Sequence, residues 1–218
     1  MIYRYDGAPP SVTFLQQNLV VSLAATHTHS SISFGTAASR RRIIVCLAHR
    51  GNGIGGQPAN VTSMTIGGVT ATKIVEKNNA PDPTVFCAIW IANVPTGTSG
   101  NIVITYQFNS AESTICVYEA QNLNSSSATD TEVPGFSAPA TLSVNVAARG
   151  IIVGHAYAVL TLTGSGATWT GLTENFDALV GTERQTTASI AVTGAETPRA
   201  ITVTGFATTI FAVSASFR

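Results

Sequence analysis

Apolar residues in this chain recur at every second position, in short runs broken by glycine- and proline-bearing turns, and that period restricts the fold before anything else does. Ile102, Ile104, Tyr106 and Phe108 alternate with Val103, Thr105 and Gln107. Successive side chains of an extended strand point to opposite faces, so the run predicts a strand with an apolar face inward and a mostly polar face outward. The pattern repeats in Leu142, Val144 and Val146, in Ile201 and Val203, and in Phe211, Val213, Ala215 and Phe217, whose alternates Ser214 and Ser216 are expected to face water. Antiparallel sheets with one wet face produce it. Ile43 to Ala48, Val85 to Ala92 and Ile115 to Tyr118 are instead apolar on both faces. They belong mid-sheet, with a sheet partner on one side and a subunit or long loop on the other.

Turn signals separate these runs at Gly51-Asn52-Gly53, Gly67-Gly68, Pro81-Asp82-Pro83, Pro95-Thr96-Gly97, Ser99-Gly100-Asn101, Pro134-Gly135, Gly164-Ser165-Gly166 and Thr193-Gly194. Their spacing predicts an all-β antiparallel sandwich. No segment carries the three-and-four spacing of an amphipathic helix; Thr173 to Val180 is expected to form a helical turn at most. There is also an internal echo. Arg42-Ile43-Ile44-Val45-Cys46-Leu47-Ala48-His49 is matched by Arg149-Gly150-Ile151-Ile152-Val153-Gly154-His155-Ala156, and each is followed by a loop, a Thr/Gly-rich segment and two paired strands. Two similar strand sets, neither able to bury its apolar face alone, are expected to pack face to face as one domain over residues 18–218. Residues 122–140, rich in Ser, Thr and Pro, form the crossover. Residues 1–17, with Tyr3, Tyr5 and Phe14, are expected to precede the first strand as an anchoring arm.

Composition narrows the class. Of 218 residues 44% are hydrophobic and 10% charged, against the usual quarter, and eleven basic residues balance eleven acidic ones. A mass of 22.6 kDa implies a folded surface of about 9,500 Å², enough for a substantial core in a single domain. Zero net charge leaves no field to hold a polyanion or an anionic membrane, so neither nucleic acid nor membrane insertion is expected. No run approaches spanning length. The first ten residues lack a basic segment followed by an apolar core, a start that fits exit by lysis or as part of a particle and equally an export signal already removed. Cys46, Cys87 and Cys116 lie inside apolar runs and read as small buried hydrophobes, with a bridge open to one pair if two of their strands are neighbours.

The order of these segments resembles a known family. Arg42 to His49, Met64 to Val69, Thr96 to Phe108, Val117-Tyr118-Glu119-Ala120, Arg149 to Ala156, Thr168 to Leu172 and Ala200 to Phe217 together resemble β-sandwich modules of bacteriophage and gene-transfer-agent structural proteins, head spikes and fibres among them, and of bacterial surface proteins. The likeness spans nearly all of the chain beyond residue 18, except that Met64-Thr65-Ile66-Gly67 replaces the Trp-bearing turn. It implies a jelly-roll-like sandwich on a particle surface, assembled as an oligomer, in some members touching host glycan, and no catalytic residues.

Several constellations carry a second meaning. Gly51-Asn52-Gly53-Ile54-Gly55-Gly56 fits the dinucleotide fingerprint after an apolar strand, but Gln57 to Thr62 leads into another strand, and without a helix N-terminus the phosphate has no seat. His27 and His29 share a strand face and can chelate zinc, though a third ligand is missing locally. His49 and His155 occupy similar places at strand ends in the two halves, either converging or as polar strand ends facing solvent or a subunit. Asp130 and Glu132 read as a solvated loop or as two of the many oxygens calcium needs. No Ser lies in a G-x-S-x-G elbow and the acids are scattered singly, so no enzyme, cofactor or metal is expected. Trp169 either stacks on a sugar or closes the end of the core. Arg40-Arg41-Arg42 is a strand-entry cluster that can pair with a neighbouring subunit or grip an acidic glycan.

Two functions follow from the sequence. The first is a virion structural protein of phage type: a head spike, fibre or capsid decoration on the particle surface, forming a homotrimer or larger, touching other capsid or tail proteins and aiding host attachment. Its expected interface and anchor residues are Tyr3, Tyr5, Phe14, Arg40, Arg41, Arg42 and Trp90. The second is a carbohydrate-binding or adhesion module of a cell surface, with Trp169, Asn52 and Ser165 as glycan contacts.

Overall fold

The computed structural model describes residues 7–51, 59–78, 85–159, 166–180, 183–206 and 209–218. All regular structure among them is strand, and every pairing is antiparallel. The first half builds one sheet from β1 (Ser11–Ser33), β2 (Arg42–Gly51), β3 (Val61–Ile66), β4 (Val69–Thr70), β5 (Thr72–Asn78), β6 (Val85–Asn93) and β7 (Ser99–Gln121). Its order is β4-β3-β7-β2-β6-β5, with β1 running along the other side of β7. The second half contributes β8 (Asp130–Glu132), β9 (Ala140–Val146), β10 (Ile151–Val159), β11 (Thr168–Thr170), β12 (Thr173–Val180), β13 (Glu183–Ala191), β14 (Glu196–Thr204) and β15 (Phe211–Phe217). These form a sheet ordered β12-β13-β10-β15-β8 and a smaller one ordered β11-β14-β9.

The long β7 explains the shape of the first half. Its early residues hold β3 and its later ones β2, while β1 follows it throughout. Between Thr105 and Ser110 the register against β1 breaks, and a strand that takes extra residues there bends. Ile102, Ile104 and Tyr106 before the break, and Ile115 and Val117 after it, all enter the same core. The side of β7 that is even-numbered at first is therefore odd-numbered later. The sheet folds over on itself and closes a first core around Leu47, Met64, Trp90 and Ile104.

The two halves then meet back to back. On β2, Ile43, Val45 and Leu47 enter the first core, while Ile44, Cys46 and Ala48 enter a second. That second core also takes Ile151, Val153 and Tyr157 from β10 and Phe211, Val213 and Phe217 from β15. The opposite faces of β10 and β15 supply Ile152 and Ala212 to a third core, closed by Leu142, Val144, Ile201 and Val203 of the small sheet. The order across the molecule is thus leaf, leaf, sheet, sheet, with an apolar core at each junction. The predicted all-β antiparallel sandwich architecture is present, but the layering differs. Each strand set closes a core of its own, and the second core is where the sets need each other. Burying a large aliphatic side chain contributes about 1.5–3 kcal/mol, and residues such as Ile44, Ile151 and Phe217 obtain it only from the other half.

This layering revises several expectations. The second faces of the doubly apolar runs are covered within the chain rather than by a subunit or loop. Ser214 and Ser216 are buried, because β15 has a sheet on both sides. Phe108, expected inward, is 38% exposed where β7 bends. Ser11 to Gln17 do not form an arm before the first strand; they open β1 and pair with β7. Thr173 to Val180 is a strand rather than a helical turn; a bulge between Glu174 and Phe176 breaks the alternation that would have marked it. The Gly67-Gly68 turn is present, both residues at positive φ. A Cβ on Gly67 would lie 2.9 Å from the Phe34 ring, so the close approach as well as the turn requires glycine. The surface area, 9198 Å², is near the value that mass alone predicts for a compact monomer.

Candidate functional site

The residues singled out as contacts are mostly held inside the chain. Trp169 lies on β11 opposite Val203, 7% exposed, with its indole N–H donating to Thr186 Oγ1 at 2.8 Å. The ring fills the space over Gly154, where a Cβ would stand 2.8 Å from Cζ3. No face is left for a sugar, and the indole closes the third core instead. Trp90 is 5% exposed in the first core, with Lys73 Nζ 5.9 Å from its ring centre. Phe14 meets Tyr118 edge-on at 5.5 Å and stacks on Phe176 at 5.9 Å, joining β1 to the second half. Tyr3, Tyr5, Asn52 and Ser165, and the glycine-rich segment after Gly51, lie outside the described residues.

Of the three arginines, Arg41 turns inward. Arg41 is fully buried and donates to the carbonyls of Phe34, Gly35, Val94, Thr96 and Gly97 at 2.7–3.4 Å. Its planar fork of donors ties together the two loops that cap the first core. Arg42 reaches Ser126 and Asn93, and Arg40 reaches Asn124. Arg41 is therefore committed to the interior, while Arg40 and Arg42 are half-buried.

The histidines form two separate buried networks. His27 and His29 share a face of β1, as their spacing predicts, and both approach Ser113 Oγ, at 2.8 and 2.9 Å. His27 Nε2 lies 2.7 Å from the Ser22 carbonyl, so that nitrogen carries the proton. Ser113 O–H then donates to His27 Nδ1, while His29 carries its proton on Nδ1, which donates to Asn18 Oδ1 at 2.8 Å. His49 stacks on Phe86 with ring centres 4.3 Å apart, and burial pushes its pKa down to about 3. His155 faces Cys87 Sγ at 3.2 Å through Nδ1 and Gln185 Nε2 at 3.1 Å through Nε2. The amide donates to Nε2, so Nδ1 carries the proton toward sulfur. Burial lowers His155 to about 3 and holds the Cys87 thiol protonated. His49 looks into the first core and His155 into the second, so they neither converge nor face solvent. Cys46 and Cys116 are cross-strand neighbours, buried as free thiols.

Two carboxylate arrangements were not legible in the sequence. Asp130 accepts from the backbone N–H of Asn145 and Thr131 and from the Asn145 amide, and the first of these bonds leads in lowering its pKa. It pins the crossover to β9 rather than offering oxygens to calcium. At the seam between the halves, Arg50 lies 2.9 Å from Glu183 Oε1 and 3.9 Å from Glu112 Oε1. Burial raises the Glu183 pKa, while Tyr157 and Arg50 restrain it.

That seam marks one end of the molecule. There β2 and β10 finish, while β6, β13 and β15 begin, and Arg50 pairs with Val85 as Val159 pairs with Glu183. The bend of the β1–β7 ribbon falls at the same end, with Val21 at 70%, Leu23 at 55% and Phe108 exposed. Gly7 and Arg218 lie at the other end: Arg149 bonds the Gly7 carbonyl, Asn122 that of Pro9, and the Asn124 N–H that of Arg218. No protein-family model, curated protein sequence or solved structure matches the chain.

Proposed function

We propose that this chain is a structural display module of a phage-type particle: a head spike, fibre or capsid decoration subunit on the particle surface, acting by contact rather than by chemistry. The observation that supports the reading is the polarity of the body. Gly7 and Arg218 lie together at one end, the strand ends leading to the Gly51 and Gly164 segments lie at the other, and apolar cores stiffen what lies between. Attachment through either chain end would hold the opposite end outward, toward a host surface. Among the described residues, Ser113, Cys87 and His155 are fully buried. Quantitative mass spectrometry of purified particles from the source culture tests the reading. Many copies per shell are expected; absence from the particle overturns it.

A carbohydrate-binding module is the second reading. It lacks the Trp169 platform but is favoured by an open, uncharged groove between Gly67-Gly68 and Ser99-Gly100-Asn101, lined by hydroxyl and amide groups. Binding on an array of neutral surface polysaccharides, lost in Asn101→Ala, is its expected outcome.

A further inference from the structure

A line of hydrogen bonds threads the second core from side to side. Gln17 Nε2–H donates to Thr114 Oγ1 at 3.0 Å, and Thr114 O–H to Gln185 Oε1 at 2.8 Å. The Gln185 amide then donates to His155 Nε2 at 3.1 Å, and the proton on His155 Nδ1 faces Cys87 Sγ at 3.2 Å. Cys87 ends the line with its own S–H, 3.6 Å from the His155 carbonyl. Each group passes its proton onward in one direction, from β1 through β7, β13 and β10 to β6. The line leaves the first half at Thr114 and returns to it at Cys87, so it crosses the boundary between the halves twice. Thr114 is 3% exposed, and Gln185, His155 and Cys87 are fully buried.

Apolar packing alone leaves the docking of the halves underdetermined. Around the line stand Ile89, Ile91, Val153, Val213 and Ala215, which recur at every second position and whose attraction has no direction. A slide of one half along the other by two residues, about 6.8 Å, would again set aliphatic against aliphatic. It would also part Thr114 from Gln185 and His155 from Cys87, leaving buried donors and acceptors unpaired, the condition in which a buried hydrogen bond matters most. We propose that the line is a registration key: it fixes the single alignment in which the two halves dock, and adds no stability that an apolar seam would lack. Buried polar groups set register in this way elsewhere, at no gain in stability. The key accounts for polar residues on otherwise apolar strand faces, with Thr114 two places before Cys116 and Tyr118, and His155 between Val153 and Tyr157. It is independent of what the body displays, so it and the particle reading fail separately.

The triple variant Thr114→Val, Gln185→Leu, His155→Leu tests it in the full chain. This variant removes the line without stranding its ends, because Gln17 is half-buried and within reach of water, and the Cys87 thiol keeps the carbonyl of residue 155. The variant is expected to fold and to melt no lower than the natural chain. Its methyl NMR signals from Ile89, Val153 and Val213 are expected to double or broaden, while Ile102 of the first core and Ile201 of the third keep single sharp ones. Gln185→Leu alone strands the His155 ring and is expected to melt below the triple variant. One sharp set of second-core signals in the triple variant would mean that apolar packing suffices to set the alignment. A triple variant that melts lower than the natural chain, or fails to fold, would mean that the line serves stability instead. A single variant as stable as the triple would mean that the bonds do not act as one line. Each of these three results overturns the proposal.

Discussion

At the scale of the residue, Arg41 does the most with one side chain. Five carbonyls from two loops converge on this buried side chain, and each buried acceptor left unpaired costs about 1–3 kcal/mol. Arg41→Ala is expected to lower stability by about 3 kcal/mol or more in denaturant titration, and Arg41→Lys to recover only part, since an ammonium cannot copy the fork. The histidines set the response to acid. Burial holds His29 at about 4 and His49 and His155 at about 3, so the unfolded chain binds more protons than the folded one below the ordinary value near 6.5. Stability is expected to be full above that value and to fall as pH drops toward 4 and then 3. Each histidine still neutral contributes a slope of up to about 1.4 kcal/mol per pH unit. Glu183 acts in the opposite sense, its raised pKa favouring the folded state as pH falls toward the ordinary carboxyl range. Urea midpoints measured from pH 7 to pH 4 check the sign, and His49→Phe is expected to flatten the profile.

At the scale of the element, β10 shows what the sequence disclosed and what it withheld. Its two-faced apolar run announced a strand covered on both sides, but nothing local to Ile151–Val159 says that one cover is β15's neighbouring half-molecule and the other the three-stranded sheet. Gly154 reads as an ordinary small residue; only the structure shows the Trp169 and Leu172 side chains occupying the place of its Cβ. Gly154→Ala is therefore expected to cost about 1–3 kcal/mol by overpacking, seen as a lowered melting temperature and altered near-ultraviolet dichroism of Trp169. β9, by contrast, was fully legible, because its burial alternates strictly with sequence. Legibility was lost where a strand bends or bulges, as at Phe108 and Thr173 to Val180. There the period of two slips and the inward face changes without any change in composition. The arginines and histidines misled for a related reason: a polar residue type suggests surface, whereas Arg41, His49 and His155 are buried with their neighbours arranged around them.

At the scale of the whole molecule, the second core makes two sandwiches into one unit. Each half carries its own reporter, Trp90 in the first core and Trp169 in the third, so the variants Trp169→Phe and Trp90→Phe isolate one fluorescence signal each. The two unfolding curves are expected to coincide once each variant's own stability change is subtracted. Separated transitions would show that the seam between the halves is weaker than either core. A chain cut within the crossover would expose Ile44, Cys46 and Ile89 on one side and Ile151, Val213 and Phe217 on the other, and is expected to bind a hydrophobic dye and aggregate. The position of the chain ends also governs how the body carries mechanical load. Bonds between antiparallel strands lie perpendicular to the strands. Force drawing Gly7 away from Arg218 acts across one end of the sheets and opens the bonds one after another, like a zipper. Force between those ends and the far tip runs along the strands and loads whole ladders in shear, where many bonds must fail together. The same protein is thus soft when its termini are pulled apart and stiff when held by them and tugged at the tip, the direction in which a tethered, outward-facing module would be loaded.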